Sequence, residues 1–578
     1  MMMGQAPLQN LDSGKRWAIL GAVMLGLFLS AMDQTIVGTA MPRIIAELSG
    51  LKLYSWVFTA YMLASTTAVP IVGKMGDIYG RKNFFLAGIV IFLIGSIISG
   101  MSQTMTQLIV FRGVQGLGGG MIFANAFAII GDLYPPAERG KYAGFMSGVF
   151  GLASVIGPLV GGYITDNLTW RWVFYVNIPL GGLALFVLAT VLPASGTRDS
   201  GRKVDYAGAA TLAATIAPLL LGFSWAGTDY GWTSPQVVVS FAFAATMAGI
   251  FWLVERRAEE PVIPFSLFRS GIFAVATGIT FITGAAMFSG SVYIPLFMQG
   301  VLGFSATNSG LVMMPMTLSM VCGSMISGQV VSRTGRYKWM CVVGLAIATG
   351  GLYTLSMMDA ESSQLVGMSG MAVLGFGLGT SFTPLVLSVQ NSVPYSMMGV
   401  TTSLNQFARS VGGTIGVAIM GSILTRRLND ELAAGLPAQV QEQAPAPLLE
   451  ALKNPRILLD DTALTRVRDE AFGPVFGADG GRLFGETIAS MERALATSIT
   501  EIFFIAAALM AGGFVLAFFL REAPLRATNA PVMEAEGMGE TATAGPVSQP
   551  ARMTPFPRPA PEPVAEQHRA PKPPKVAS

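Results

Sequence analysis

Apolar runs of about 18 to 25 residues, the length that crosses about 30 Å of hydrocarbon, follow one another along most of the chain. They begin near Trp17, Trp56, Phe84, Leu108, Ala143, Trp172, Tyr206, Gln236, Ile272, Asn308, Trp339, Val366, Gly399 and Ser498, a pattern that predicts about fourteen transmembrane helices. The first run is too long for the apolar core of a secretion signal, and no A-x-A-like cleavage site follows it, so it reads as a retained span. Two segments break the pattern. From about Arg426 to Thr497 the chain mixes Asp460, Asp461, Asp469 and Glu470 with Arg466, Arg468 and short apolar stretches such as Ile457 to Leu459, which predicts a partly helical external hairpin. After Arg521 the chain is rich in Pro, Ala and Glu, and a disordered tail is expected.

Lys and Arg in the short loops distinguish the two sides. Lys15 and Arg16, Lys74, Arg81 and Lys82, Arg139 and Lys141, Arg198, Arg202 and Lys203, Arg256, Arg257 and Arg269, and Arg333, Arg336 and Lys338 fall on one side. The other side offers only Arg43, Lys52 and Arg171 in its short loops. The richer side is expected to be the cytoplasm, and an even number of spans then places both termini there, in the inner membrane of the cell. Long translocated loops escape this rule, so the arginines of the hairpin do not disturb it.

Composition narrows the function. Of 578 residues, 52% are hydrophobic and only 12% charged, so bilayer rather than water is the solvent for most of the chain. The formal net charge of +3 is near balance and the basic residues lie beside apolar spans, so nucleic acid is not an expected partner. Cys322 and Cys341, the only cysteines, both fall in apolar stretches, which gives no support for a disulfide framework. The single histidine, His568, lies in the tail, so metal clusters and catalytic triads built on histidine are excluded from the spans. No nucleotide-binding loop is present, and no metal, cofactor or enzymatic activity is expected.

The first span ends Ala31-Met32-Asp33-Gln34-Thr35-Ile36-Val37-Gly38-Thr39-Ala40-Met41-Pro42, placing a carboxylate inside an apolar helix. This closely resembles the first-helix signature of the fourteen-helix drug/proton antiporter branch of the major facilitator superfamily. Further matches follow in order. Gly73-Lys74-Met75-Gly76-Asp77-Ile78-Tyr79-Gly80-Arg81-Lys82 resembles the loop between helices two and three, and Arg112-Gly113-Val114-Gln115-Gly116-Leu117-Gly118 the fourth-helix signature. Gly157-Pro158-Leu159-Val160-Gly161-Gly162 resembles the antiporter signature of helix five, and Trp170 to Pro179 the start of helix six. Two positions depart from the pattern: Ala153 replaces the leading glycine of the helix-five signature, and Ser332 replaces the acid in the second-half counterpart of the helix-two loop.

The resemblance covers about residues 15 to 525 and implies an all-α major facilitator fold, two six-helix bundles of nested inverted repeats that rock about a midplane site. The expected organisation is a cytoplasmic N-terminus at 1–16, a first bundle at 17–193, a linker with two inserted helices at 194–271, a second bundle at 272–520 that includes the external loop 426–497, and a disordered cytoplasmic tail at 521–578. The implied activity is proton-coupled efflux of lipophilic or amphipathic small molecules of the multidrug type. Its partners are then the lipid bilayer, a small amphipathic substrate and protons, with a proton gradient as the energy source; a monomer suffices, and the sequence leaves an adaptor protein open. A proton-coupled exporter of a lipid or natural product carries the same signatures. A non-transport membrane scaffold rests only on the hairpin and the tail.

Asp33 lies about 17 residues past Arg16, or roughly 25 Å along a helix, and Arg112 is about five residues into the antiparallel helix four, so the two are expected at similar depth. Burial disfavours a charged carboxylate, a nearby arginine favours it, and a motion that changes their separation or hydration switches its proton affinity. The alternative is a static bridge pinning helices one and four. By resemblance Gly73, Asp77, Gly80 and Arg81 form a cytoplasmic gate, Asp77 pairing with Arg139 or capping a neighbouring helix and Arg81 pairing with Asp132. Gly157, Pro158, Gly161 and Gly162 are expected to make a thin, bendable contact that seals against leak. Helical spacing selects Thr277, Phe281 and Phe288 on helix nine and Phe376, Thr380 and Thr383 on helix twelve as substrate-lining candidates, with Gln115 and Asn125 on helix four. Arg409 in helix thirteen is a further intramembrane charge, either an anion receptor or a ligand for backbone carbonyls.

Overall fold

The computed structural model describes residues 11–48, 53–193, 205–226, 230–303, 306–394, 397–452, 458 and 461–525. All of them belong to the first of two units, 1–531 and 532–578. Lys52, Arg198, Arg202, Lys203, Ile457, Leu459, Asp460, His568 and the tail beyond 525 lie outside the described residues.

Among the described residues, fourteen helices are long and apolar enough to cross a membrane. In the first half these are α1 (Ser13–Leu48), α2 (Tyr54–Tyr79), α3 (Arg81–Gly100), α4 (Met105–Leu133), α5 (Pro136–Asn167) and α6 (Trp172–Val191). Two more follow, α7 (Tyr206–Trp225) and α8 (Pro235–Glu255). The second half comprises α9 (Gly271–Gly300), α10 (Ala306–Thr334), α11 (Lys338–Ser356), α12 (Gln364–Asn391), α13 (Met398–Gly435) and α14 (Gly480–Phe518). Each apolar run becomes a helix because in hydrocarbon every backbone N–H and C=O must find its partner within the segment.

The main packing pairs are α3–α4, α2–α4 and α1–α5 in the first half, and α10–α12, α11–α12 and α9–α13 in the second. The halves meet along two seams, α5 on α10 and α2 on α13. Because α10 stands in the second half where α2 stands in the first, and α13 where α5 stands, the two seams are counterparts of each other. One crossing is very close: a Cβ on Gly140 of α5 would lie 2.6 Å from the carbonyl oxygen of Gly328 on α10, so only glycine permits the approach. The inserted pair packs on itself and on α2, where Trp56 meets Trp225 edge-on at 5.8 Å, and leaves Val239 and Trp252 exposed to the surroundings.

The segment between the last two spans differs from the expected external loop. Helix α13 continues past Arg426 to Gly435, and α14 starts at Gly480 rather than near Ser498. Leu424, Leu428 and Leu432 form a buried stripe at four-residue spacing, joined in one core cluster by Leu483, Met491 and Leu495 of α14. Mean hydropathy hides such a stripe because charged residues flank it; Arg427 pairs with Glu501 of α14 at 2.7 Å. Short helices at Ala438–Gln443 and Ala446–Leu452 lie within the remainder, and Val440, Leu448 and Leu452 join the same core.

Candidate functional site

Asp33 sits just past the middle of α1 with no solvent exposure, and it is a hub rather than one end of a single bridge. Arg112 of α4 donates through Nη1 to Asp33 Oδ2. Gln115, one turn further along α4, donates to Oδ1 at 2.7 Å, and Asn177 of α6 donates to the same oxygen at 3.2 Å. Asn177 also donates to the Ser96 hydroxyl of α3 at 3.0 Å, and Ser96 donates to the Phe174 carbonyl at 2.7 Å. Arg112 has further partners: the Gln115 side-chain oxygen at 2.8 Å, the Val57 carbonyl of α2 at 3.4 Å and the face of Tyr61, 4.4 Å from the ring centre. Side chains or carbonyls of four helices therefore converge on one charge pair, and α3 braces Asn177 through Ser96. A lone charge at mid-membrane costs about 2.5 to 3.5 kcal/mol on insertion scales, which is why both members are fully buried among donors and acceptors.

Asp33 and Arg112 were evident from sequence. Helical spacing makes Gln115 a substrate-lining candidate rather than a partner of Asp33; Ser96 and Tyr61 were not evident, and Asn177 was visible only as one letter of the helix-six motif. No pattern separates such residues from the many hydroxyls that bond their own helix, as Thr211 does to Ala207.

A second cluster closes one end of the seam between the halves. Gly80 adopts φ +92°, a left-handed conformation that favours glycine, and turns α2 into α3 within a single residue. Of the two alternatives for Asp77, the structure takes the cap: its carboxylate accepts from the backbone N–H groups of Gly399 at 3.1 Å and Val400 at 2.8 Å, at the N-terminus of α13. Arg81 links Asp77 at 2.8 Å to Asp132 of α4 at 2.6 Å, as expected from the motif. Arg139 donates to the carbonyls of Gly131 and Tyr134, and to Gln390 of α12 at 3.4 Å. Gly73 lies against Ser403 of α13 with no room for a side chain. Lys82 donates to the carbonyls of Ala189 and Leu192, the free C-terminal end of α6.

The helix-five motif divides. Gly157 and Gly161 face α1, and a Cβ on Gly161 would lie 2.9 Å from Ile36 Cγ1. Gly162 has open space beside it, and Pro158 is exposed. The motif thus mates α5 with the helix that carries Asp33.

The lining candidates are not brought to one surface. Gln115 belongs to the Asp33 hub, and Asn125 lies on the α2–α4 seam beside Gly76. Phe281 and Phe288 lie on the α9–α13 seam against Gly412 and Gly413. Thr380, bonded to the Phe376 carbonyl, and Thr383, bonded to Ser324 at 2.7 Å, face α10. Small-residue seams set which of these residues meet a neighbouring helix, through the backbone at Phe281 and Phe376 and through the side chain at Phe288, Thr380 and Thr383, which helical spacing alone does not reveal. Aromatic rings between the halves come from other positions: Phe382 of α12 lies 6.1 Å from Phe127 of α4, and Phe123 stands 5.7 Å from both Phe127 and Phe150.

Fold and site together define a polytopic transporter built from two related halves with a charge pair buried in the first. The chain belongs to the Major Facilitator Superfamily, whose family profile matches residues 23–205 and again 206–417. It is 38% identical over 524 residues to the multidrug transporter protein MdtP of Bacillus subtilis, covering 89% of this chain and 94% of that protein. It is likewise 38% identical over 467 residues to multidrug resistance protein 3 of the same organism, covering 79% and 90%. Among solved structures, the proton:xylose symporter XylE shares the fold alone, at 11% identity and a TM-score of 0.54 over 90% of this chain and 98% of that one.

Proposed function

We propose that this protein expels lipophilic or amphipathic small molecules in exchange for protons, and that Asp33 carries the coupling. The carrying observation is the Asp33 hub, a fully buried carboxylate on which helices α1, α4 and α6 depend directly. In the charged state Asp33 draws Arg112, Gln115 and Asn177 together. Protonation removes the charge and weakens all three hydrogen bonds at once, since charge-assisted bonds are the strong ones. Arg112 is not stranded when that happens, because the Gln115 oxygen, the Val57 carbonyl and the Tyr61 face remain. That makes release of Asp33 feasible within the bundle. The relatives named for multidrug transport and multidrug resistance support a broad substrate class.

With the Lys- and Arg-rich end in the cytoplasm of the cell membrane, the Asp77, Arg81 and Asp132 cluster is a closed cytoplasmic gate and the conformation faces outward. In this cycle a proton taken up at Asp33 from outside loosens the hub, the gate opens to admit substrate, and proton loss inward restores it. The test is pH-gradient-driven accumulation of a lipophilic dye in reconstituted vesicles, native protein against Asp33→Asn, with gradient-free dye exchange measured beside it. The reading requires that Asp33→Asn lose gradient-driven accumulation while still exchanging dye. Equal accumulation by both proteins makes Asp33 a static pin.

A further inference from the structure

Four arginines are buried among the described residues: Arg81, Arg112, Arg139 and Arg409. The first three donate to carboxylates, carbonyls or side-chain amides. Arg409 is the exception. Its side chain is more than nine-tenths buried, yet Nε and Nη2 have no hydrogen-bond partner, and among the described residues no carboxylate pairs with it. One face of the guanidinium is covered by Phe382, 4.4 Å from the ring centre. The backbone of Arg409 is pressed against α9, where a Cβ on Gly284 would meet its carbonyl, so the side chain reaches the other way, toward α12 and the first half. A buried guanidinium without an acceptor is unfavourable, and cation–π contact replaces only part of what water provided.

The free donors define what fits. Nε and Nη2 are the two parallel N–H groups along one edge of the guanidinium, the edge that meets a carboxylate, sulfonate or phosphate with two bonds at once. Beyond Phe382 the surroundings are apolar and aromatic, through Phe127 to Phe123 and Phe150. We infer that Arg409, with Phe382 over its face, is the receptor for the anionic group of an amphipathic molecule whose apolar body lies along Phe127, Phe123 and Phe150 between the halves. The inference rests on reading the space between the halves as the efflux path, and it adds that this path accepts anions. The same chemistry is offered by a small amphipathic acid and by an anionic lipid headgroup.

The experiment is equilibrium binding to full-length protein reconstituted in phosphatidylcholine vesicles, read by tryptophan quenching with protein-free vesicles as the partition control. The probes are naphthylbutyric acid and its methyl ester, compared at one pH with no gradient. Native protein is expected to bind the acid at least tenfold more tightly than the ester, Arg409→Gln to bring the ratio to within twofold of one, and Arg409→Lys to retain most of it. No preference in the native protein overturns the inference, and so does a preference that survives Arg409→Gln. Failure of both variants to fold overturns it too, by marking Arg409 as a structural pin. Adding phosphatidylglycerol separates the sources: displacement of the acid assigns a lipid headgroup, and undiminished binding assigns the small acid. Because binding is read without a gradient, anion preference without proton-driven efflux leaves this site standing and sinks the coupling reading, whereas efflux without anion preference does the reverse.

Discussion

At the scale of single residues, Asp33 and Arg409 meet the cost of a buried charge in opposite ways, one by gathering donors from two other helices, the other by waiting for a partner. The donors to Asp33 hold α1 to α4 and α6. Gln115→Leu removes the 2.7 Å bond to Oδ1. A hydrogen bond to a charged group contributes about 1.5 to 3 kcal/mol, so thermal unfolding should show a loss of that order. An unchanged Tm would show that Gln115 does not support the hub. The charges of this site were legible in the sequence because a carboxylate or guanidinium stands out in an apolar run. Its neutral members were not, since Ser96 and Tyr61 are chemically ordinary within their helices and gain meaning only where α2, α3 and α6 converge on α1 and α4.

At the scale of elements, helices were legible from apolar length, while the interfaces between them depend on which small residue faces which neighbour. Gly161 and Gly162 are adjacent and alike in sequence. A methyl group on Gly161 meets Ile36 and Thr39 of α1, whereas one on Gly162 meets open space. Gly161→Ala should therefore destabilise the α1–α5 contact by about 1 to 3 kcal/mol, as overpacking does, and depress efflux, while Gly162→Ala should leave thermal stability within about 0.5 kcal/mol of native. Equal effects in thermal unfolding would mean that this seam is not what the motif protects. The α13–α14 extension was missed for the converse reason, because its stripe of Leu424, Leu428 and Leu432 is too narrow to raise average hydropathy. Truncating Leu428 to Ala removes a fully packed side chain and should cost about 2 to 5 kcal/mol if the extension is a cooperative part of the second half. The end of α1 gives a pH-dependent contact. Hydrogen bonds from Arg171 at 2.6 Å and Trp170 at 2.7 Å hold the Glu47 carboxyl below its usual range. A lowered folded-state value means stability that is present at neutral pH and lost as the pH falls through the acid range. Because Glu47 is half exposed the effect is small, but Glu47→Gln should lower the Tm at pH 7 and not at pH 3.

At the scale of the whole molecule, the two seams between the halves, α5 on α10 and α2 on α13, are closed at the end that holds Asp77, Arg81 and Asp132. Asp77 caps α13 from the opposite half and is at the same time bonded to Arg81, so one carboxylate ties the halves together across the seam at the proposed gate. Asp77→Asn leaves a neutral amide there and should shift the population toward an open gate. Spin labels at the exposed positions Lys141 of α5 and Arg333 of α10 would report this as a longer distance than in the native protein, and an unchanged distribution would show that the cap does not hold the gate. The two-half architecture with an inserted pair was legible from motif order and span count. The identity of the residues between the halves was not, because Phe127 and Phe382 are far apart in sequence and belong to the interface only once α4 and α12 face each other. The central claim, that substrate and proton move in opposite directions through Asp33, is tested most directly by following protons rather than dye. Vesicles containing the protein and a trapped pH indicator, with no initial pH gradient, would be given a dye gradient across the membrane. The account predicts a pH change of the sign for protons moving against the dye, present in native protein and absent in equally well-folded Asp33→Asn; dye movement without any proton movement in the native protein, or identical proton movement in both, would contradict it.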